Sequence, residues 1–181
     1  MNKQIIVPGA AILFLAISFA RWPELFLVVA ERVLDFLPRW IARFLYPIEN
    51  FNKDVQFYIR PQGSVFFYLR DVPKLSIYLN LVDHSPFAIE LDVLTVKVYT
   101  DPPHYQGLCD FQRVERTTVN RHSTEKVFVE TPLTDAQVRQ LYTAKEKQLT
   151  FSLRLTAMLD TKLGRAEIEE ALEGLKAEIS G

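Results

Sequence analysis

Few side chains in this sequence stand close enough together to do chemistry. The stretch "DPPHYQGLCD" gathers Asp101, His104, Cys109 and Asp110. Carboxylate, imidazole and thiolate are all zinc ligands, but zinc sites use tighter paired spacings, and this is a Pro/Gly loop of ordinary composition. No metal is expected there. Asp83-His84-Ser85 contains the residue types of a hydrolytic triad. Adjacent residues, however, cannot aim their side chains at one another as that mechanism requires. There is no glycine-rich phosphate loop and no His-Glu-x-x-His pair. The expectation is a protein without catalytic residues, metal or cofactor, acting by binding and not as an enzyme.

Charge narrows the partners. The chain of 181 residues is 49% hydrophobic and 24% charged, with formal net charge −1. A nucleic-acid partner is not expected, because phosphate binding needs a clear basic excess. The basic residues Arg113, Arg116, Arg121, His122 and Lys126 are interleaved with Glu115, Glu125 and Glu130, the pattern of a solvated strand edge. Approach to anionic lipid headgroups is the functional alternative. One cysteine cannot close an internal disulfide, so the fold must rest on its core.

The elements that would position a partner begin at the N-terminus. "IIVPGAAILFLAISFA", Ile5 to Ala20, carries no charge. As a helix it would span about 24 Å, short of a hydrocarbon core of roughly 30 Å, and Arg21 and Trp22 extend it into the interface. Residues 1–22 therefore read as a single transmembrane anchor, with Ile5, Ile12, Leu15, Phe19 and Trp22 facing lipid. A signal peptide cut after Ala20 is the competing reading, since Ser18-Phe19-Ala20 places small residues where a peptidase needs them. Lys3 and the terminal amine oppose Arg21, Arg32 and Arg39 in setting orientation. The difference is small and tips toward an extracytoplasmic domain.

Residues 23–50 form an amphipathic helical segment. Phe26, Val29, Val33, Phe36, Leu37, Trp40 and Phe44 recur at helical spacing, while Glu31, Arg32, Asp35, Arg39 and Arg43 gather toward the other side. Pro38 lies inside the pattern and predicts a kink or a break. An aromatic face made by Phe36, Trp40 and Phe44 must be covered by lipid, by the domain itself or by another membrane-protein chain.

From Val55 the period changes to two, the mark of half-buried strands, and residues 51–181 read as a β domain. "VQFYIR" and "VFFYLR" flank Pro61-Gln62-Gly63-Ser64, which reads as a turn joining two strands. Phe57, Ile59, Phe67 and Leu69 share the core parity; Tyr58, Phe66 and Tyr68 lie opposite. These are covered by the N-terminal helices or form an exposed binding face. In "KLSIYLNLVDHSPFAIEL" the alternation of Leu75, Ile77, Leu79 and Leu81 breaks at Asp83-His84-Ser85-Pro86 and resumes at Phe87, Ile89 and Leu91. Pro86 forces Ser85 to be extended, and Asp83 can bond to its own backbone, so the chain can leave one sheet for another without a hairpin. A parity change before Leu94, Val96 and Val98 requires a bulge near Asp92.

"PKLSIYLNLVDHSPFAIELDVLTVKVY", Pro73 to Tyr99, resembles the signature stretch of the LEA-2 (late embryogenesis abundant type 2) and water-stress/hypersensitive-response (WHy) domains. There an alternating strand runs into an Asn-Pro or Asn-x-Ser-Pro turn, then an apolar stretch and another strand. Asp83 stands where the family usually has Asn. The resemblance implies a mainly β, immunoglobulin-like sandwich, often behind a membrane segment, with one or two short helices, and a non-enzymatic role in stress protection or in interactions at membranes. Two other functions stay open: a structural subunit of a membrane complex docking through residues 24–45, and a domain holding lipid between its sheets.

The remaining elements follow from pattern. "FQRVERTTV" and "KVFVE" read as strands, Thr134-Asp135-Ala136-Gln137 as a capping box opening a helix to about Lys147, and Leu149 to Leu159 as a long strand. Ile168, Leu172, Leu175 and Ile179 repeat at helical spacing and predict a C-terminal helix, with a last strand over Arg165 to Glu169 as the alternative.

Overall fold

The structure is a computed structural model that describes residues 33, 35–60, 63–100, 106–146 and 150–180. The anchor residues Ile5, Ile12, Leu15, Phe19 and Trp22 lie outside the described residues, as do Asp101 and His104.

Two sheets face each other across the core. In the first, β3 (Lys74–Asp83) is paired along its whole length with β7 (Ser123–Pro132). Its other edge carries β1 (Val55–Tyr58) against Asn80 to Asp83 and β2 (Val65–Tyr68) against Lys74 to Ile77. The Pro/Gly segment is therefore not a hairpin turn. Both flanking stretches run the same way, one after the other, along a single edge of β3, one paired up to Tyr58 and the next from Val65. The short β10 (Glu178–Ser180) adds in parallel beyond β2.

The second sheet repeats the device. β4 (Ile89–Thr100) pairs with β8 (Phe151–Thr161) along one edge, and β9 (Gly164–Leu175) follows β8. The other edge of β4 takes β5 (Gln106–Arg113) against Leu94 to Thr100, then β6 (Thr117–Val119) against Ile89 to Leu91. The expected strand "FQRVERTTV" is thus split at Val114 to Arg116. The break lies opposite the β4 bulge between Leu91 and Val93, where the parity change required one.

Alternation explains the packing. Leu75, Ile77, Leu79 and Leu81 from β3 and Leu94, Val96 and Val98 from β4 are all buried, meeting Phe57, Phe67 and Phe151 between the sheets. The expected C-terminal helix is strand β9. Ile168 and Leu172 share strand parity and face the core side; a register shift opposite Phe151 and Leu153, with Gly174 at φ +68°, then turns Leu175 inward as well. Two residues of strand alternation plus one bulge mimic a helical repeat. α3 (Asp135–Glu146) opens as its capping box requires: Gln137 N–H donates to Thr134 Oγ1 at 3.4 Å and Thr134 N–H donates to Gln137 Oε1 at 2.7 Å.

Asp83 to Pro86 carries the chain from β3 in one sheet to β4 in the other. Asp83 and Ser85 are fully buried. Ser85 N–H donates to Asp83 Oδ1 at 2.7 Å, Ser85 Oγ donates to the Phe87 carbonyl at 3.0 Å, and His84 N–H donates to the Asp54 carbonyl at 2.7 Å. Ser85's hydroxyl is spent on backbone and His84 is exposed, so these residues make a turn and not a nucleophile with its base.

Burial pushes the Asp83 carboxyl up to about 6, against the lowering effect of its Ser85 hydrogen bonds. A raised acid favours the folded state when protonated, so stability from this group grows as pH falls through 6 toward 4. Thermal melts of the wild type and Asp83→Asn at pH 7.5 and pH 4.5 test this. The wild type should gain on the variant at the lower pH; an equal difference at both would show that Asp83 does not titrate in this window.

Candidate functional site

Among the described residues, exposed aromatic side chains gather in two groups. The first is helical. Val33, Asp35 and Phe36 are helical and the chain breaks at Pro38, which then heads α1 (Arg39–Leu45), its carbonyl accepting from Ile41 and Ala42 N–H at 3.0 Å. Tyr46 is extended ahead of Pro47, which ends the helix.

α1 docks with an unusual face. Ala42 is fully buried. On either side of it, Arg39 Nε and Arg43 Nε both donate to the Leu163 carbonyl, at 2.8 and 2.7 Å. Arg121 pairs with the Asp35 carboxylate at 3.0 Å, and Lys162 Nζ donates to the Asp35 carbonyl. Phe36, Trp40 and Phe44 point away, 88%, 73% and 85% exposed, with Leu45 beside them. An amphipathic helix on a protein core ordinarily does the reverse. Here the buried Ala42, the partly buried Leu37 and the arginine hydrogen bonds hold the segment to the domain, while the three aromatic side chains face out.

Below α1 the chain belongs to the core. The Tyr46 ring packs edge-on against Phe51 and Phe87, with centroids 5.2 and 5.6 Å away, and its hydroxyl donates to Asp54 Oδ2. Burial and the Asp54 carboxylate push that phenol upward, so it remains a neutral donor. Phe51, in the short α2 (Phe51–Asp54), is fully buried. These contacts cross residue 51, where the change of period had set the start of the domain.

The second surface is the outer face of the first sheet. Tyr58 and Tyr68 are exposed and Phe66 half-buried, joined by Tyr78 on β3 and Phe128 on β7. α1 does not cover them. Phe66 stacks on Tyr68 at 6.2 Å, meets Tyr78 edge-on at 5.9 Å, and Tyr78 leans on Phe128 at 4.9 Å. Sequence reasoning singled out Phe66 and Tyr68 but missed Tyr78 and Phe128. Both sit at outward parity in recognised strands; what was lacking was the β3–β7 register that places them side by side.

The other candidates separate. Arg113 pairs with Glu115 at 2.8 Å, Arg116 with Asp92 at 3.1 Å and Arg121 with Asp35, so the basic run is mostly ion-paired. Cys109 is half-buried on β5, and burial first, then Asp110, pushes its thiol up to about 12, away from the reactive thiolate. No group of three or more His, Cys, Asp or Glu side chains suited to a metal occurs among the described residues. No helix among them is long and apolar enough to cross a membrane.

The fold and these surfaces define a two-sheet β-sandwich that carries an outward-facing aromatic helix at one end. No family model matches the chain, and no curated protein matches it. Solved structures do. The solution structure of AT1g01470 from Arabidopsis thaliana matches with a TM-score of 0.51 at 9% identity, over 65% of this chain and 78% of that one. A protein described as late embryogenesis abundant (LEA), At2g46140.1, matches over 80% of this chain and 86% of its own, with a TM-score of 0.38 at 12% identity. A protein from Archaeoglobus fulgidus covers 67% of this chain and 96% of its own, with a TM-score of 0.38 at 11% identity. At these identities the likeness is one of fold, and of the three the first superposes well enough to carry it.

Gly164, at the β8–β9 turn beneath α1, has φ +127°, and a Cβ there would meet the guanidinium groups of Arg39 and Arg43. Gly164→Ala should cost about 1–3 kcal/mol in chemical denaturation. Gly107→Ala on β5, where a Cβ meets only ordinary contact with Tyr99 at 3.9 Å, should cost less. Equal effects would mean that the turn tolerates a side chain and that the arginines do not need the space.

Proposed function

We propose that this protein is a membrane-anchored, non-enzymatic binding or protective module of LEA-2-like build, seated on the bilayer through α1. The observation that carries the reading is the orientation of that helix. Leaving Phe36, Trp40 and Phe44 in water forgoes roughly 1.5–3 kcal/mol for each side chain that could be buried. The fold spends polar contacts from Asp35, Arg39 and Arg43 to hold them outward. Aromatic rings at the headgroup level, with arginines behind them, suit an interfacial helix. The uncharged stretch Ile5–Ala20 stands a short distance upstream in the same chain. The Pro73–Tyr99 resemblance supports the LEA-2-like build, and the fold match with AT1g01470 supports the overall architecture alone. Membrane lipid is the primary partner under this reading, and a slight balance of charge favours an extracytoplasmic domain. A membrane-protein chain docking on the same ridge is the alternative occupant.

The two tryptophans are Trp22 and Trp40, so a Trp22→Phe variant of the full chain reports on α1 alone. In vesicles of lipid only, Trp40 emission should shift to the blue and be quenched by lipids brominated near the headgroup. Water-like emission without quenching would exclude lipid as the cover and leave the partner chain. Phe36→Ser with Phe44→Ser should abolish the shift with little change in melting temperature, because neither ring supports the fold.

A further inference from the structure

We propose that the cleft on the outer face of the first sheet binds an acidic glycan, a chain of pyranose rings bearing uronate carboxylates. The cleft follows from the interruption between β1 and β2. β2 pairs with β3 as far as Ile77 and β1 from Asn80, so Tyr78 and Leu79 have no strand beside them on that edge. Ser64 partly fills the gap, its carbonyl accepting from Tyr78 N–H at 2.9 Å and its hydroxyl accepting from Arg60 N–H at 3.2 Å. What remains is an open cleft of about 420 Å³, a volume suited to a ligand of ring size.

Three properties of its walls select the ligand. The first is the continuous strip of rings formed by Phe66, Tyr68, Tyr78 and Phe128, with centroids 4.9–6.2 Å apart in sequence. Tyr78 is 50% and Phe128 44% exposed, so their faces are available for stacking by the apolar C–H face of a sugar.

The second is the polar complement. The hydroxyls of Ser64, Tyr68 and Tyr78 and the amide of Asn80 can all both donate and accept. That dual capacity matches sugar hydroxyls, which also do both. A hydrocarbon ligand would leave these groups unpaired.

The third is charge. Arg60 and Lys126 line the cleft, no carboxylate does, and neither cation is ion-paired among the described residues. Two carboxylates border it: Glu130 is already held by Lys74 at 3.1 Å and Ser76 at 3.1 Å, which keep its acid below the usual range. Glu178 stands across from Phe66 on β10, beside Gly63, and makes no ion pair with Arg60 or Lys126 among the described residues. Lys74 is further committed to the Tyr68 face, 5.5 Å from the ring centroid. A carboxylate on the ligand completes Arg60 as a fork and Lys126 as a point charge. Aromatic strips with cations also bind single-stranded nucleic acid. Single-stranded DNA carries no free hydroxyl along its sugars to meet Ser64, Tyr68, Tyr78 and Asn80, so the polar lining favours the glycan.

The test is calorimetric titration of the full chain in detergent micelles with a galacturonate hexamer. Its fully methyl-esterified counterpart, a glutamate hexamer and a DNA hexanucleotide serve as comparators. The acidic hexamer should bind saturably and the ester at least about tenfold more weakly. Arg60→Gln and Tyr78→Ala should each weaken binding by a similar factor. Tyr78→Phe, which keeps the ring, should lose less, and Lys97→Gln on the other sheet nothing. Absence of saturable binding overturns the proposal. So does equal binding of the glutamate hexamer, which would reveal only charge attraction, or tighter binding of the oligonucleotide. Because the rings and cations belong to the sheet and not to α1, the Trp40 readout of bilayer seating is unaffected by either result.

Discussion

The sandwich depends on how one continuous stretch of chain leaves one sheet and enters the other. β3 and β4 are the strands at which each sheet is organised: both are paired along their full length on one edge and by two shorter strands on the other. The distance between them is only Asp83 to Ala88, and within it His84 and Ala88 are exposed while Asp83 and Ser85 are fully buried. The polar atoms of those two buried residues must be satisfied internally. Ser85 does most of this by bonding to both sides of Phe87, and Asp83 fixes the extended Ser85 that Pro86 demands. Asp83 Oδ2 has no hydrogen-bond partner among the described residues, and burial dominates the group's ionisation. The cost is local; what it secures is the facing of two apolar strand surfaces.

The same constraint shaped what could be read from sequence. Where a strand has one buried face and no irregularity, parity alone located the core: Leu75 to Leu81 on β3 and Leu94 to Val98 on β4 are inside. A demanded bulge near Asp92 could be deduced because apolar residues on both sides of it fixed the parity. β9 defeated the same logic. Its outward positions carry Glu167, Glu169 and Glu173, and a bulge at Gly174 restored Leu175 to the core, so the apolar spacing fitted a helix. Pairing with β8 decided the matter, and pairing is a long-range fact. The Pro61–Ser64 segment misled for a related reason: turn residues announce an interruption, but not whether the chain reverses or continues.

The orientation of α1 was legible only as a question. Its sequence defines an aromatic side and a charged side; it does not say which one the domain takes. The answer lies far away in the chain, at the Leu163 carbonyl left open by a glycine turn and at Arg121 and Lys162. A carbonyl that accepts two guanidinium N–H groups is satisfied on both lone pairs, and the arginines gain directional contacts that neither would have in solvent. Exposed ion pairs contribute little individually. Here they act together to set direction, and the buried Ala42 with the Tyr46 rings below supplies the packing.

The two aromatic surfaces are fixed relative to each other by β3. Asp83 ends that strand beside Ser123, and the same end of the sandwich holds Arg121, Leu163 and thus α1. Asn80 and Tyr78, in the cleft, lie three and five residues back along β3, or about 10 to 17 Å at a strand's rise. The cleft is thus set apart along β3 from the end of the strand that lies toward α1. The rings of the sheet and those of α1 are therefore two separate surfaces spaced along one paired strand. On the proposed reading the sheet's rings meet a ligand that approaches the side of the domain, and Arg60 and Lys126, without ion pairs among the described residues, match the carboxylates that ligand carries.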